Sequence, residues 1–196
     1  ALLVERGGYA EMAGVPSEFA IPIPAHMTFN EAASLPVAFL TSWDGLVRHA
    51  RLHAGEVVLI QAGTSGIGVA GIQIAKDLSA IVIATAGTDD KTEFCKKLGA
   101  DYVINYTKDG FLDGVRDITN NRGVNVALDC VGGETLKNSI ESLSHGGRIV
   151  TVGNVSQSHH PTIALDILFK IRPRFASESL LTEPDLPSAL SNIVQL

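Results

Sequence analysis

The chain has 196 residues, 45% of them hydrophobic and 18% charged, with a formal net charge of −6. That balance excludes a charge-rich disordered segment and the basic footprint of a nucleic-acid binder. Two cysteines are too few for a disulfide scaffold or a four-thiolate metal site, and no apolar run reaches the length of about 18 residues that spanning a membrane requires.

The chain opens at Ala1 without a signal-like n-region and ends on Leu196, inside a stretch, 186–196, whose spacing predicts an amphipathic helix. The expectation is a piece of a longer, cytoplasmic protein. In residues 1–30, Gly7, Gly8 and Gly14 with Pro16, Pro22 and Pro24 punctuate apolar stretches at 9–12 and 19–23. This texture fits short strands and turns. Thr28 and Glu31 then have capping-box spacing ahead of 32–35. Pro36 interrupts that pattern, because it has no N–H to give and restricts Leu35. From 38 to 50, Phe39, Trp43, Leu46 and Val47 recur at helical spacing, with Trp43 read as core.

From Glu56 the rhythm changes. Apolar, β-branched runs at 57–61, 81–85, 102–104, 124–129 and 148–152 alternate with helical patterns at 67–78, 89–98, 109–119 and 134–143. A helix at 163–170 and a sixth strand near Phe175 complete the series. Strands alternating with helices predict βαβ units, and so an α/β fold with a doubly wound parallel sheet.

The segment 57–68 runs from a buried strand through a glycine turn into a helix. Its pattern is G-x-S-G-x-G, with Gly63 and Gly68 kept and Ser65 in place of the middle glycine of G-x-G-x-x-G. Glycines let a pyrophosphate approach backbone N–H groups that a Cβ would obstruct, and the helix dipole helps hold the anion. In this context the turn predicts dinucleotide binding. An NAD-specific site places an acid about 20 residues on, against the ribose 2′-OH. Counting from Gly66 gives Ala86, with Asp89 and Asp90 falling later, where they suit a helix N-terminus. Thr88 and Lys91 are placed to meet a 2′-phosphate, so NADPH is the expected cofactor.

Several stretches in order carry a resemblance. They are Gly7-Gly8-Tyr9-Ala10-Glu11, Leu35-Pro36-Val37-Ala38-Phe39-Leu40-Thr41-Ser42-Trp43, Ala62-Gly63-Thr64-Ser65-Gly66-Ile67-Gly68 and Ala84-Thr85-Ala86-Gly87-Thr88 with Lys91. Leu98-Gly99-Ala100-Asp101, Ile104-Asn105-Tyr106, Leu128-Asp129-Cys130-Val131-Gly132-Gly133 and Gly146-Gly147-Arg148-Ile149-Val150 follow. Together they resemble the quinone oxidoreductase branch of the medium-chain dehydrogenase/reductase superfamily, nearest to its p53-inducible type.

The resemblance implies a Rossmann domain and a GroES-like catalytic domain with NADPH between them. Residues 1–30 would be the last part of the catalytic domain, and 31–196 a connecting helix with the NADP-binding domain. Gly63, Thr64, Ser65, Gly66 and Ile67 would contact the pyrophosphate. Gly87, Thr88, Lys91 and Tyr106 would surround the 2′-phosphate, while Thr41, Val131, Gly132 and Gly153 would face the nicotinamide. Val37 stands where zinc-dependent relatives carry a metal-ligating cysteine or acid, so the resemblance implies no catalytic zinc. The substrate would be a quinone or another electron-poor enone, and relatives pair as homodimers through a sheet edge. Two alternatives stay open: an enoyl reductase, freestanding or within a polyketide or fatty-acid synthase, and a non-catalytic NADPH-binding structural or regulatory protein. With most of the other cleft wall expected elsewhere, the chain alone is expected to bind NADPH without turnover.

Other candidates have simpler readings. Cys95 suits a buried structural thiol and Cys130 strand-end packing, with a redox-sensitive thiol as the alternative for Cys130. His159 and His160 lack a third ligand and suit a solvated loop. Asp129 fits a carboxylate that closes a strand and accepts turn N–H bonds. No residue is singled out as a catalytic acid or base, since hydride transfer needs mainly positioning.

Overall fold

The computed structural model describes residue 8 and residues 10–17, 20–157 and 162–177. Gly7, Tyr9, Phe19, the pair His159 and His160, and the helix expected at 186–196 lie outside these residues. Between 10 and 27 the described backbone forms no strand and makes one isolated bridge, at Ala20. The strands expected there are thus corrected. Pro16, Pro22 and Pro24 give no N–H to a ladder, and they fall where such strands would need to pair.

Helix α1 (Phe29–Ser34) starts with the expected capping box: the Thr28 N–H donates to the Glu31 carboxylate at 2.8 Å, and the Glu31 N–H returns to Thr28 Oγ1 at 3.3 Å. Pro36 is the first residue of α2 (Pro36–Trp43), where its missing N–H costs nothing. The single helix expected over 38–50 is not uniform. From Asp44–His49 the winding widens to a π-helix, closed by Ala50 N–H donating to the Gly45 carbonyl at 2.9 Å. The wider turn holds a buried carboxylate, Asp44, against Arg48 at 2.8 Å and His49 at 3.2 Å.

Six strands follow: β1 (Val57–Ile60), β2 (Ile81–Ala86), β3 (Tyr102–Asn105), β4 (Val124–Asp129), β5 (Leu143–Thr151) and β6 (Arg174–Ser177). They form one parallel sheet in the order β3-β2-β1-β4-β5-β6. The connecting helices are α3 (Gly66–Asp77), α4 (Asp89–Lys97), α5 (Tyr106–Asp109), α6 (Phe111–Ile118), α7 (Gly133–Glu141) and α8 (Leu165–Ile171). This is the predicted doubly wound Rossmann architecture, with Phe175 on the sixth strand as expected.

The period-two alternation of strands sorts the core into two layers. Val58, Ile60, Val82, Ala84, Val126, Leu128 and Val150 pack with Leu46, Ile72, Ile74 and Cys95. On the other face Leu59, Ile83, Ile104, Ala127 and Ile149 meet Phe111, Val115, Ile140 and Ile171. Two boundaries differ from expectation. Gly110, at φ +60°, splits the helix expected over 109–119 into α5 and α6. β5 begins at Leu143 rather than Arg148, because Leu143 already pairs with Val124 before a register shift. Gly123 permits that pairing, since a methyl group on it would lie 2.7 Å from the Ser142 carbonyl oxygen.

At the opposite end of the sheet from the glycine turn, Arg148 on β5 grips Glu56 through both carboxylate oxygens. Burial alone would raise the Glu56 carboxyl, but the Arg148 hydrogen bonds and the His53 N–H outweigh it, so the group lies below the usual range. Asp101 is lowered similarly: burial opposes, while Lys76 and the Val82 N–H prevail. A depressed folded-state value means stabilisation present above the unfolded value, about 4, and lost as pH falls through the folded one. Melting temperature is therefore expected to fall as pH is lowered below about 4. Glu56→Gln should lower the neutral-pH value and flatten that slope, as calorimetry across pH would show.

Candidate cofactor site

The order of the strands reverses between β1 and β4, and an open α/β sheet binds its ligand beyond the carboxyl ends of its strands at that point. Three groups of expected residues converge there.

The first is the turn after β1. Ala62 takes a left-handed backbone, φ 51°. It is pinned on both sides, its N–H donating to Thr85 Oγ1 at 3.2 Å and its carbonyl accepting from Ser65 N–H at 2.8 Å. Gly63 N–H donates to the Thr85 carbonyl at 2.8 Å. Ser65 caps α3, its Oγ accepting from Gly68 N–H at 3.0 Å. The glycines divide their work in a way the pattern did not reveal. A methyl group on Gly68 would lie 2.3 Å from the Ala62 carbonyl oxygen, and one on Gly63 2.7 Å from Cys95 Sγ. Both are needed for the protein to pack on itself. Gly66 is exposed, with Ala38 Cβ at 3.5 Å as the nearest atom a methyl would meet, and it leaves the helix end open. The N–H groups of Thr64, Gly66 and Ile67 take no acceptor among the described residues. They form an anion cradle at the positive end of α3.

The second group lies after β2. Ala86 is buried at the strand end, and no carboxylate replaces it. Thr88 caps α4, accepting from Lys91 N–H at 3.4 Å, and the Lys91 side chain is exposed. The half-exposed ring of Tyr106 lies against Gly87, where a methyl would stand 2.7 Å from its hydroxyl oxygen. Gly87, Thr88, Lys91 and Tyr106 thus share one corner. Sequence reasoning missed its second layer. Thr107 Oγ1 donates to the Gly87 carbonyl at 3.2 Å, and the Asp89 carboxylate accepts from Lys108 at 2.7 Å and Asn105 at 2.9 Å. Lys108, and then Asn105, hold the Asp89 carboxyl below its ordinary range. The signal available was Asn105 two residues before Thr107, the spacing of an Asx turn.

The third group joins the loops after β4 and β5. Buried Asp129 accepts from Val131 N–H at 2.9 Å and Gly132 N–H at 2.7 Å, the role its position predicted. Gly132, at φ +79°, packs so closely on Asn154 that a methyl would lie 2.2 Å from its Oδ1. Ser156 N–H donates to the Val131 carbonyl at 2.8 Å, and a methyl on Gly153 would meet the Cys130 carbonyl at 3.1 Å. Val131, Gly132 and Gly153 are therefore neighbours. Thr41 sits buried on α2, one residue before Ser42, whose hydroxyl donates to the Ile67 carbonyl at 3.0 Å and ties that helix to the glycine turn. The Thr41 hydroxyl has no hydrogen-bond partner among the described residues.

Both thiols are buried. Burial raises Cys95, and burial with the nearby Asp129 charge outweighs the Ser65 contact to raise Cys130. Cys130 Sγ packs 4.0 Å from Ser65 Oγ, which suits the packing role.

A family model described as zinc-binding dehydrogenase matches residues 66–193. The chain belongs to the medium-chain dehydrogenase/reductase superfamily. It falls with the quinone oxidoreductase-like branch of that superfamily. It is 35% identical over 164 residues, 84% of its length, to a phenolphthiocerol/phthiocerol polyketide synthase of Mycobacterium tuberculosis, spanning 8% of that protein. Among solved structures, the quinone oxidoreductase of Escherichia coli complexed with NADPH superposes with a TM-score of 0.80 at 30% identity, covering 91% of this chain and 55% of the other. The nucleotide-binding subdomain of the enoylreductase domain of PpsC from Mycobacterium tuberculosis gives 0.73 at 33%, with 82% and 92% covered. The chain spans about half of the Escherichia coli enzyme and a small part of the synthase.

The family description raises the question of zinc. Among the described residues no three His, Cys, Asp or Glu side chains stand together in a way that could hold a metal ion, and Val37 on α2 offers no donor atom. These residues do not fit a zinc ion, so no step is assigned to one. No helix of the described residues is long and apolar enough to cross a membrane.

Proposed function

We propose that this chain forms the NADPH-holding wall of a reductase that delivers hydride, without zinc, to a quinone or another electron-poor double bond. The carrying observation is the pairing of an open N–H cradle at Thr64, Gly66 and Ile67 with a corner that offers Lys91 and Tyr106 and no acid at the end of β2. In this reading the cradle holds the pyrophosphate, and Gly87, Thr88, Lys91 and Tyr106 receive the 2′-phosphate. Thr41, Val131, Gly132 and Gly153 border the nicotinamide. The cofactor supplies the hydride, and the acceptor's second atom takes a proton from solvent. Residues 1–30 belong to the end of a GroES-like domain, and two copies pair along β6, where Phe175 is 55% exposed.

A titration followed by nicotinamide fluorescence is expected to show NADPH binding this chain at least about tenfold more tightly than NADH, the size of one charge-assisted contact. Equal or NADH-favouring affinity would overturn the cofactor reading. The 35% identity to a polyketide synthase favours a second reading, reduction of an enoyl thioester. Absorbance assays on the protein that carries this domain separate the two: NADPH oxidised by a quinone supports the first, and oxidation only by an enoyl thioester the second. Binding without oxidation by either would point to a structural or regulatory role.

A further inference from the structure

Four polar side chains at the cofactor edge of the sheet, Gln61, Thr85, Ser139 and Asp129, are each no more than 2% exposed. They stand between two otherwise apolar layers, so their hydrogen bonds have to be complete. Each of their polar side-chain atoms has a partner, and together they form a single line. Ala62 N–H donates to Thr85 Oγ1 at 3.2 Å, and the Thr85 hydroxyl donates to Gln61 Oε1 at 2.6 Å. Gln61 Nε2 donates to Ser139 Oγ at 3.0 Å, and the Ser139 hydroxyl donates to Asp129 Oδ2 at 3.0 Å. Asp129 Oδ1 accepts from the Val131 and Gly132 N–H groups.

The direction of every link follows from the last one. A carboxylate only accepts, so Ser139 spends its proton on it and must itself accept from Gln61. That fixes the amide of Gln61, whose oxygen then accepts from Thr85, leaving the Thr85 oxygen for Ala62 N–H. The line begins on the left-handed residue of the glycine turn and ends on the two N–H groups of the loop after β4. It passes through the ends of β1, β2 and β4 and through α7.

We propose that this line sets the spacing between the pyrophosphate turn and the nicotinamide loop, with Thr85, Gln61, Ser139 and Asp129 as positioning residues for hydride transfer. The inference rests on the functional reading above, in which those two loops hold opposite ends of one cofactor. None of the four needs to touch substrate. Asp129→Asn keeps the shape but offers a second donor to Ser139, whose own proton then has no acceptor. Thr85→Val keeps the volume and deletes both links of the Thr85 hydroxyl, to Ala62 and to Gln61, while Thr85→Ser keeps them.

The test compares NADPH with 2′,5′-ADP, which carries the adenosine and its 2′-phosphate but no nicotinamide. On this chain, Asp129→Asn and Thr85→Val are each expected to weaken NADPH by at least about tenfold, the size of one buried polar link or more. They should change 2′,5′-ADP less than about threefold, and Thr85→Ser should match the wild type for both probes. Equal losses for the two probes, or an unchanged NADPH value in Thr85→Val, would reduce the line to a structural role and overturn the proposal. Failure of the wild-type chain to bind either probe would overturn the functional reading itself, and the proposal with it. Thr85→Val differs from the wild type by one atom, so its result stands even where Asp129→Asn does not fold.

Discussion

Gly68→Ala is expected to lower the stability of the chain by about 3 kcal/mol, the upper part of the range for forcing one methyl into a packed site. For a chain of this size that corresponds to a melting temperature lower by about 6–12 °C. The reason lies in what the methyl would meet. Its neighbours would be the Ala62 carbonyl oxygen at 2.3 Å and the Gly63 Cα at 2.6 Å, both backbone. Neither can swing aside. Ala62 is fixed by bonds on its N–H and its carbonyl, and its left-handed φ leaves little room to relax. The turn would have to separate from α3, disturbing the cradle N–H groups, so NADPH affinity should fall by at least about tenfold, the equivalent of one strong hydrogen bond. Gly66→Ala is the control. Its methyl meets only Ala38 Cβ at 3.5 Å, and alanine suits a helix better than glycine. Its melting temperature should stay within about 2 °C of the wild type, while its methyl narrows the approach of a pyrophosphate and weakens NADPH. Calorimetry and fluorescence titration on both variants would separate the two roles. A Gly68→Ala chain as stable as the wild type would contradict the close approach of Ala62 to α3.

The contrast between these two glycines shows where the sequence was legible. Residues 81–85 read as a strand because central parallel strands are buried on both faces and become nearly continuous β-branched runs, and 124–129 through its apolar Val124, Val126, Ala127 and Leu128. Helix α4 was legible through Asp89 and Asp90 in its first turn, whereas the Thr88 cap emerged only from the structure. Local chemistry announces itself locally. The glycine turn was found the same way, but that Gly63 serves the fold depends on Cys95 and Thr85, distant in sequence and adjacent in space, and that Gly68 does depends on how the turn folds back on α3. Ser144, His145, Gly146 and Gly147 look like a turn, and only the pairing of Leu143 with Val124 draws them into β5. The buried line from Thr85 to Asp129 was invisible for the same reason, since Gln61 and Ser139 lie 78 positions apart. Asp129 itself was readable, because its partners Val131 and Gly132 are immediate neighbours.

Lys91→Glu carries the largest expected change in affinity: NADPH should bind about a hundredfold more weakly, as expected when a charge-assisted contact is exchanged for repulsion. NADH, lacking the 2′-phosphate, should change by less than about threefold. The two cofactors differ only at that phosphate, so the ratio cancels any general damage to the domain. Lys91 is suited to the role because it lies one turn into α4, on the corner shared by Thr88, Gly87 and Tyr106, and because Ala86 brings no acid there. The other lysine of this corner is already engaged. Lys108 holds the Asp89 carboxylate at 2.7 Å with help from Asn105, which offsets part of the negative charge in the first turn of α4. Asp89→Asn should therefore raise NADPH affinity by about two- to threefold through relief of local repulsion, with little effect on NADH. Gly87→Ala should act between these extremes. Its methyl would meet the Tyr106 hydroxyl at 2.7 Å, and a half-exposed ring moves outward more easily than a backbone carbonyl. The fold would survive, and the ring would leave the phosphate corner. Added salt should narrow the gap between NADPH and NADH in both proteins but from opposite sides, weakening NADPH on the wild type, where attraction is screened, and strengthening it relative to NADH in Lys91→Glu, where repulsion is screened. Equal losses of NADPH and NADH in Lys91→Glu would remove Lys91 from the 2′-phosphate site.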